Sequence, residues 1–208
     1  MVVSAQNRNW ILSKLKGTKI MKKTLLSSVI SAALAITTLG TTAQMGNMKD
    51  PMVGGAAMYP TKTIVENAVN SPIHTTLVAA VKAAGLVDTL NSPGPFTVFA
   101  PTNDAFAKLP AGTVDTLVKP ENKATLTKIL TYHVVSGKLS AKDIAVGIKA
   151  GGGKYEMTTV EGGKLTATMS GKKIMLTDEK GGMATITTSN VFQSNGVIDV
   201  IDTVLMPS

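Results

Sequence analysis

Two histidines and no cysteine limit the chemistry open to this chain. His74 and His133 stand 59 positions apart, and neither has a second ligand or base at a useful spacing. There is no HExxH helix for zinc and no G-x-S-x-G elbow around any serine. Gly151-Gly152-Gly153-Lys154 lacks the G-x-x-x-x-G-K-[ST] spacing of a phosphate cradle and reads as a loop. No catalytic residue, no metal ligand set and no cofactor is assigned, and the chain does not read as an enzyme. One soft-ligand pattern stands out. Met45, Met48, Met52 and Met58 crowd a short stretch, and thioethers select Cu(I). The plainer use of methionine is as a flexible apolar contact. Tyr132-His133 is the other pair of interest. Tyrosine presents a large apolar area with a polar tip, which suits an interface, whereas a histidine in an apolar stretch ordinarily hydrogen-bonds inside a fold.

The elements that would position these residues are legible in the periodicity. Ser71-Pro72 reads as a helix start, followed by Ile73, Leu77, Val78, Val81 and Ala84 on one face and Gly85 as a left-handed stop. Ser92-Pro93-Gly94-Pro95 is a loop, and Phe96 to Ala100 a buried strand that Pro101 ends. Thr102 or Asn103 then caps a short helix in which Phe106 and Leu109 point inward. Pro120 opens a helix with Leu126, Ile129 and Leu130 on its apolar edge, and Ser140 to Asp143 has capping-box spacing. Beyond Gly151 the period changes to two. Leu165, Ala167 and Met169 alternate with polar residues, as do Ile174 and Leu176. Asn195-Gly196 is the strongest hairpin dipeptide. Helices first and strands later argue for an α+β fold rather than repeated βαβ units.

The charge balance excludes one class of partner. The formal charge is +8, but residues 1–43 hold six basic residues and no acid, which leaves 15 against 13 for the rest. Lys172-Lys173 is the only adjacent basic pair beyond residue 43, so no footprint for nucleic acid exists there. Met21-Lys22-Lys23, the apolar stretch Thr24 to Leu39 and the small residues Gly40 to Ala43 form a secretory signal peptide, with cleavage expected after Ala43. The apolar stretch is short of the roughly 20 residues a spanning helix needs. The expected organisation is therefore an over-called start or cloning remnant at 1–20, a signal peptide at 21–43, a flexible or loosely docked Met- and Gly-rich arm at 44–60 and one domain at 61–208. The mature protein is expected to be secreted or periplasmic, without a membrane span.

Three segments carry a resemblance. Thr97 to Phe106 (TVFAPTNDAF), Tyr132-His133 and Asn195 to Pro207 (NGVIDVIDTVLMP) resemble, in order and spacing, the landmarks of a fasciclin (FAS1) domain. The resemblance implies a single FAS1 domain with N-terminal helices packed on a wedge or sandwich of C-terminal strands. It also implies extracellular binding, as weak adhesion to a cell-surface or matrix protein or polysaccharide. The family's Tyr-His motif is implicated in adhesion, so Tyr132 and His133, with Ile129, Leu130 and Val134 beside them, are the candidate contact. His133 bonding to the Thr102–Asp104 corner is the structural alternative. The alternative function is export of a Cu(I) or small-ligand binder using the methionine arm. Two departures stand out. Asp199 occupies a position where many members have His, and Asn190-Val191 replaces the Asp-Ile pair used for integrin recognition, so integrin binding is not carried over. Asp199 and Asp202 are expected at an edge or paired with lysines.

Overall fold

The computed structural model describes residues 50–208. The expectations for the leader, the signal peptide, Met45 and Met48 lie outside the described residues. A miniature antiparallel pair, β1 (Met52–Val53) and β2 (Ala56–Ala57), comes first. Helices follow: α1 (Ile64–Ala68), α2 (Thr75–Ala84) and α3 (Val87–Asn91). Strand β3 (Phe96–Pro101) leads into α4 (Asn103–Ala107), α5 (Thr113–Leu117) and α6 (Lys123–Tyr132). After β4 (Val134–Ser136) and α7 (Ala141–Ala150) come β5 (Lys154–Thr158), β6 (Lys164–Ser170) and β7 (Lys173–Thr177). The long β8 (Met183–Gln193) and β9 (Gly196–Ile201) complete the set. This is the α+β arrangement the periodicity predicts.

Seven strands form one sheet in the order β4-β3-β9-β8-β7-β6-β5. All neighbours are antiparallel except β3 and β9, which run parallel from Phe96↔Gly196 to Pro101↔Ile201. Register shifts in β8 between Ile186 and Val191 bend it, as bulges do. The bend brings the two edge strands toward each other: Val135 bridges Thr159, and the Val160 N–H donates to the Val134 carbonyl at 2.7 Å. The sheet is thus curled into a wedge with two separate cores. Inside it lie Phe99, Tyr132, Leu165, Leu176 and Ile201, closed by Ile144 and Ile148 of α7. On the other face Val98, Ala100, Ile198 and Val200 pack against α1, α2, α4 and α6. Strand alternation in β3 and β9 feeds one side chain to each core in turn.

Local signals mostly hold. The Thr102 hydroxyl caps α4 by accepting from the Ala105 N–H, Gly85 ends α2 at φ +73°, and Ser140 with Asp143 forms the full capping box of α7. Three expectations are corrected. Helix α2 starts at Thr75, not at Pro72, because its cap comes from another element: Asn103 Oδ1 accepts from the Thr76 N–H at 3.0 Å. The turn between β8 and β9 is Ser194-Asn195, one residue earlier than expected. Gly196 is there for close approach, since a Cβ would sit 2.1 Å from the Phe96 carbonyl oxygen. Met169 is exposed rather than buried. Of the two readings of the arm, residues 50–60 take the docked one: β1–β2 is held through Val53 and Met58, which are buried in the helical core.

Candidate functional site

Helix α6 delivers Ile129, Leu130 and Tyr132, and its end delivers His133 and Val134, so the expected contact residues sit on one turn and the start of β4. The structure buries all five of them, none more than 5 % exposed. An adhesive contact formed by Tyr132 and these neighbours is therefore corrected: their side chains meet protein, not solvent. Tyr132 points into the wedge. Its hydroxyl donates to the Lys164 carbonyl at 2.7 Å and accepts from the Glu179 N–H at 3.2 Å, tying α6 to the rims of β6 and the turn after β7. Burial pushes the phenol up to about 12, with the carboxylates of Glu179, Asp178 and Glu161 adding to the shift.

His133 is equally committed. Its Nε2 accepts from the Leu205 N–H at 3.0 Å, which leaves Nδ1 as the protonated nitrogen, donating to the Ile129 carbonyl at 2.8 Å. The expected bond to the Thr102–Asp104 corner is not made; the ring instead latches the C-terminal tail to α6. Burial lowers its pKa to about 4, so the ring is neutral near pH 7. His74 serves a different network, with Nδ1 2.8 Å from the Ser71 hydroxyl, and burial lowers its pKa as well. The two histidines share no partner.

Asp199 is a correction too. It is fully buried in the central β9 and, among the described residues, pairs with no lysine and keeps Oδ2 without a hydrogen-bond partner. Oδ1 accepts from the N–H of Asn190, itself held at φ +62°. Burial pushes the carboxyl up to about 6, against the lowering effect of that N–H. Asp202, by contrast, accepts from the Thr185 N–H and the Thr203 hydroxyl.

Asp199 and His133 act on stability in opposite directions. His133 has a depressed pKa in the fold, so its contribution is present above about 6.5, its unfolded value, and is lost as the pH falls toward about 4. Asp199 has a raised pKa, so its contribution is present below 3.8 and is lost as the pH rises through about 6. The two slopes offset each other in between. Replacing Asp199→Asn removes one of them. Thermal unfolding followed by circular dichroism should show the variant about 1–3 kcal/mol more stable than wild type at pH 7.5, the lead shrinking as the pH falls to 4. A constant lead at every pH would mean that Asp199 does not titrate in this range.

Met58 is 1 % exposed, so its thioether is committed to the core and is lost to any surface Cu(I) site. Among the described residues no group of three or more His, Asp or Glu side chains converges as a metal site.

What remains open to solvent lies elsewhere. Among the described residues only two aromatic rings are exposed, Tyr59 at 41 % and Phe192 at 38 %. Each carries a lysine ammonium over its face, Lys62 at 4.9 Å and Lys138 at 4.8 Å from the ring centre. A second feature is an apolar cleft of about 170 Å³ between α1, α2, α3, the end of α6 and β3. Sequence reasoning missed both. A signal existed for the cleft in the apolar set Ile64, Val65, Ala68 and Val69, too wide for a five-residue helix to bury fully. For Phe192, the signal was its outward place between the buried Val191 and Gln193 on β8.

Comparison with known proteins agrees with this architecture. A protein of Synechocystis sp. named sll1483 is 46 % identical over 175 residues, which cover 84 % of this chain and 90 % of that one. The immunogenic protein MPB70 of Mycobacterium bovis is 43 % identical over 145 residues, covering 67 % of this chain and 66 % of its own. The solved FAS1 domain pair from the insect cell adhesion molecule fasciclin I superposes with a TM-score of 0.63 at 19 % identity, covering 71 % of this chain and 51 % of that one. The fasciclin domain family model matches residues 72–207, spanning the β3–α4 corner, the Tyr132-His133 turn and the β9 strand, and the chain belongs to the fasciclin domain family.

Proposed function

We propose that the protein is exported and works by binding rather than catalysis, making weak adhesive contacts with a cell-surface or matrix protein or polysaccharide. The observation that carries this reading is the pair of exposed rings, Tyr59 and Phe192, each under a lysine. A flat apolar ring with an adjoining cation offers stacking area and a hydrogen-bond donor together, and such residues dominate the energetics of contact surfaces. Relatives support the setting. One is named a cell surface glycolipoprotein, from Mycobacterium bovis, and the structural neighbour comes from a cell adhesion molecule. Among the described residues no helix is long and apolar enough to cross a membrane.

The test is adhesion of the protein to its producing cells and to matrix polysaccharides, comparing wild type with Tyr59→Ala/Phe192→Ala. The double variant should keep its circular dichroism spectrum and bind about tenfold more weakly, a change of ~1.4 kcal/mol. Equal binding by a folded double variant would remove these rings from the contact. Mass spectrometry of exported material should find an N-terminus near Gln44; a retained Trp10 would contradict export through the predicted signal.

A further inference from the structure

The cleft described above has a geometry of its own. Its walls are the buried side chains Ile64, Leu77, Val81, Leu90, Leu130 and Val134, and its mouth is framed by the partly exposed Val65, Val69 and Val78. Protein interiors are close-packed and hold few voids larger than a water molecule. A cleft of about 170 Å³ is therefore a substantial opening, similar to the roughly 150 Å³ of an apolar cavity that accepts a benzene ring. Among the described residues, only two around it carry polar side chains. His133 is one, but both ring nitrogens are already bonded, to the Ile129 carbonyl and the Leu205 N–H. Lys82 is the other. It lies one helical turn beyond Val78 on the same stripe of α2, is exposed, and forms no ion pair among the described residues.

The geometry points to a binding site for a small amphiphilic carboxylic acid, with an apolar body of one aromatic ring or a chain of about eight carbons in the cleft and its carboxylate at the Lys82 ammonium. The size follows from the volume, and the sign of the head group follows from Lys82 as the one available polar side chain at the rim. An uncharged alcohol of the same length would fill the walls but leave the lysine unanswered. A sixteen-carbon chain would exceed the space. This inference goes beyond the adhesive reading and uses none of its residues.

The experiment is a methyl-resolved NMR titration of the purified protein with octanoate, octanol and hexadecanoate. Octanoate should shift the methyl signals of Leu77, Val81, Leu90 and Leu130 saturably, and octanol should shift the same signals with weaker affinity. Lys82→Met should weaken octanoate about threefold, the scale of an exposed ion pair, and leave octanol unchanged. Val78→Phe, which places a ring in the mouth from a partly exposed helix position, should abolish the shifts; the wild-type map stands as a readout even if that variant folds poorly. Octanoate shifts located elsewhere, or none at all, would overturn the site. Octanol binding as tightly as octanoate would overturn the carboxylate, and hexadecanoate binding more tightly would overturn the stated size.

Discussion

Tyr132→Ala should lower the unfolding free energy by about 4–5 kcal/mol, measured by chemical denaturation, and Tyr132→Phe by about 1–2 kcal/mol. The ring is fully buried in the wedge, and removing it leaves a cavity that the surrounding strands can close only partly. The hydroxyl adds a separate share, because the Lys164 carbonyl and the Glu179 N–H lose their partner in both variants. Packing around the ring is close: a Cβ on Gly163 would lie 2.8 Å from Tyr132 Cε2. A typical domain has only about 5–15 kcal/mol to lose, so Tyr132→Ala stands near the edge of folding. An adhesion defect in that variant would then report lost structure rather than a lost contact. If Tyr132→Ala instead kept wild-type stability and lost adhesion, the surface role implied by the family's Tyr-His motif would be restored.

Asn195→Ala should cost about 3–5 kcal/mol, although it deletes only a carboxamide from a turn. Asn195 is 6 % exposed, and its carboxamide satisfies three backbone groups: Oδ1 accepts from the Ile64 N–H at 3.0 Å, and Nδ2 donates to the carbonyls of Leu90 at 2.7 Å and Ser92 at 3.0 Å. It therefore ties the β8–β9 turn to the start of α1 and the end of α3. Buried backbone groups left without partners each cost about 1–3 kcal/mol. Asn195→Asp is the sharper comparison, since it keeps the acceptor for Ile64 but turns a carboxylate toward two carbonyl oxygens. It should be at least as damaging as alanine near pH 7. A mild effect of either substitution would mean that the turn is held by its strands alone.

These residues also show where a sequence stops being readable. Signals whose partners lie within three or four positions were legible: the Thr102 cap, the Ser140–Asp143 box, the Gly85 stop and the alternation of β6 and β7. The α4 corner and the inward Leu126, Ile129 and Leu130 followed from the same local rules. Signals that depend on distant partners were not. Asn103 caps a helix 27 positions away, and Asn195 serves Ile64 across 131 positions, so neither role has a local trace. Asp199 reads as a surface carboxylate because alternation alone cannot tell that both faces of β9 are covered. Tyr132 reads as an interface residue for a related reason: the same amphipathic ring serves an interior that offers it a carbonyl and an amide. The cleft is a property of how four helices and a strand converge, and no single segment announces it.

The placement of β9 has a consequence for the order of events in the life of the chain. The strand occupying residues 196–201 lies between β3 and β8, so it is the strand that joins the pair β3–β4 to the run β8 to β5. Until it has been delivered, β3 has β4 alone for a neighbour, and the helical core lacks Ile198 and Val200. Pairing across about a hundred positions is slow to form, because a long loop must close before the contact rewards it. A polypeptide still emerging from the ribosome, with β9 not yet released, consequently cannot lock into its final shape. Locking of this domain therefore waits on its most distant pairing, and everything before Gly196 stays soft until that strand arrives.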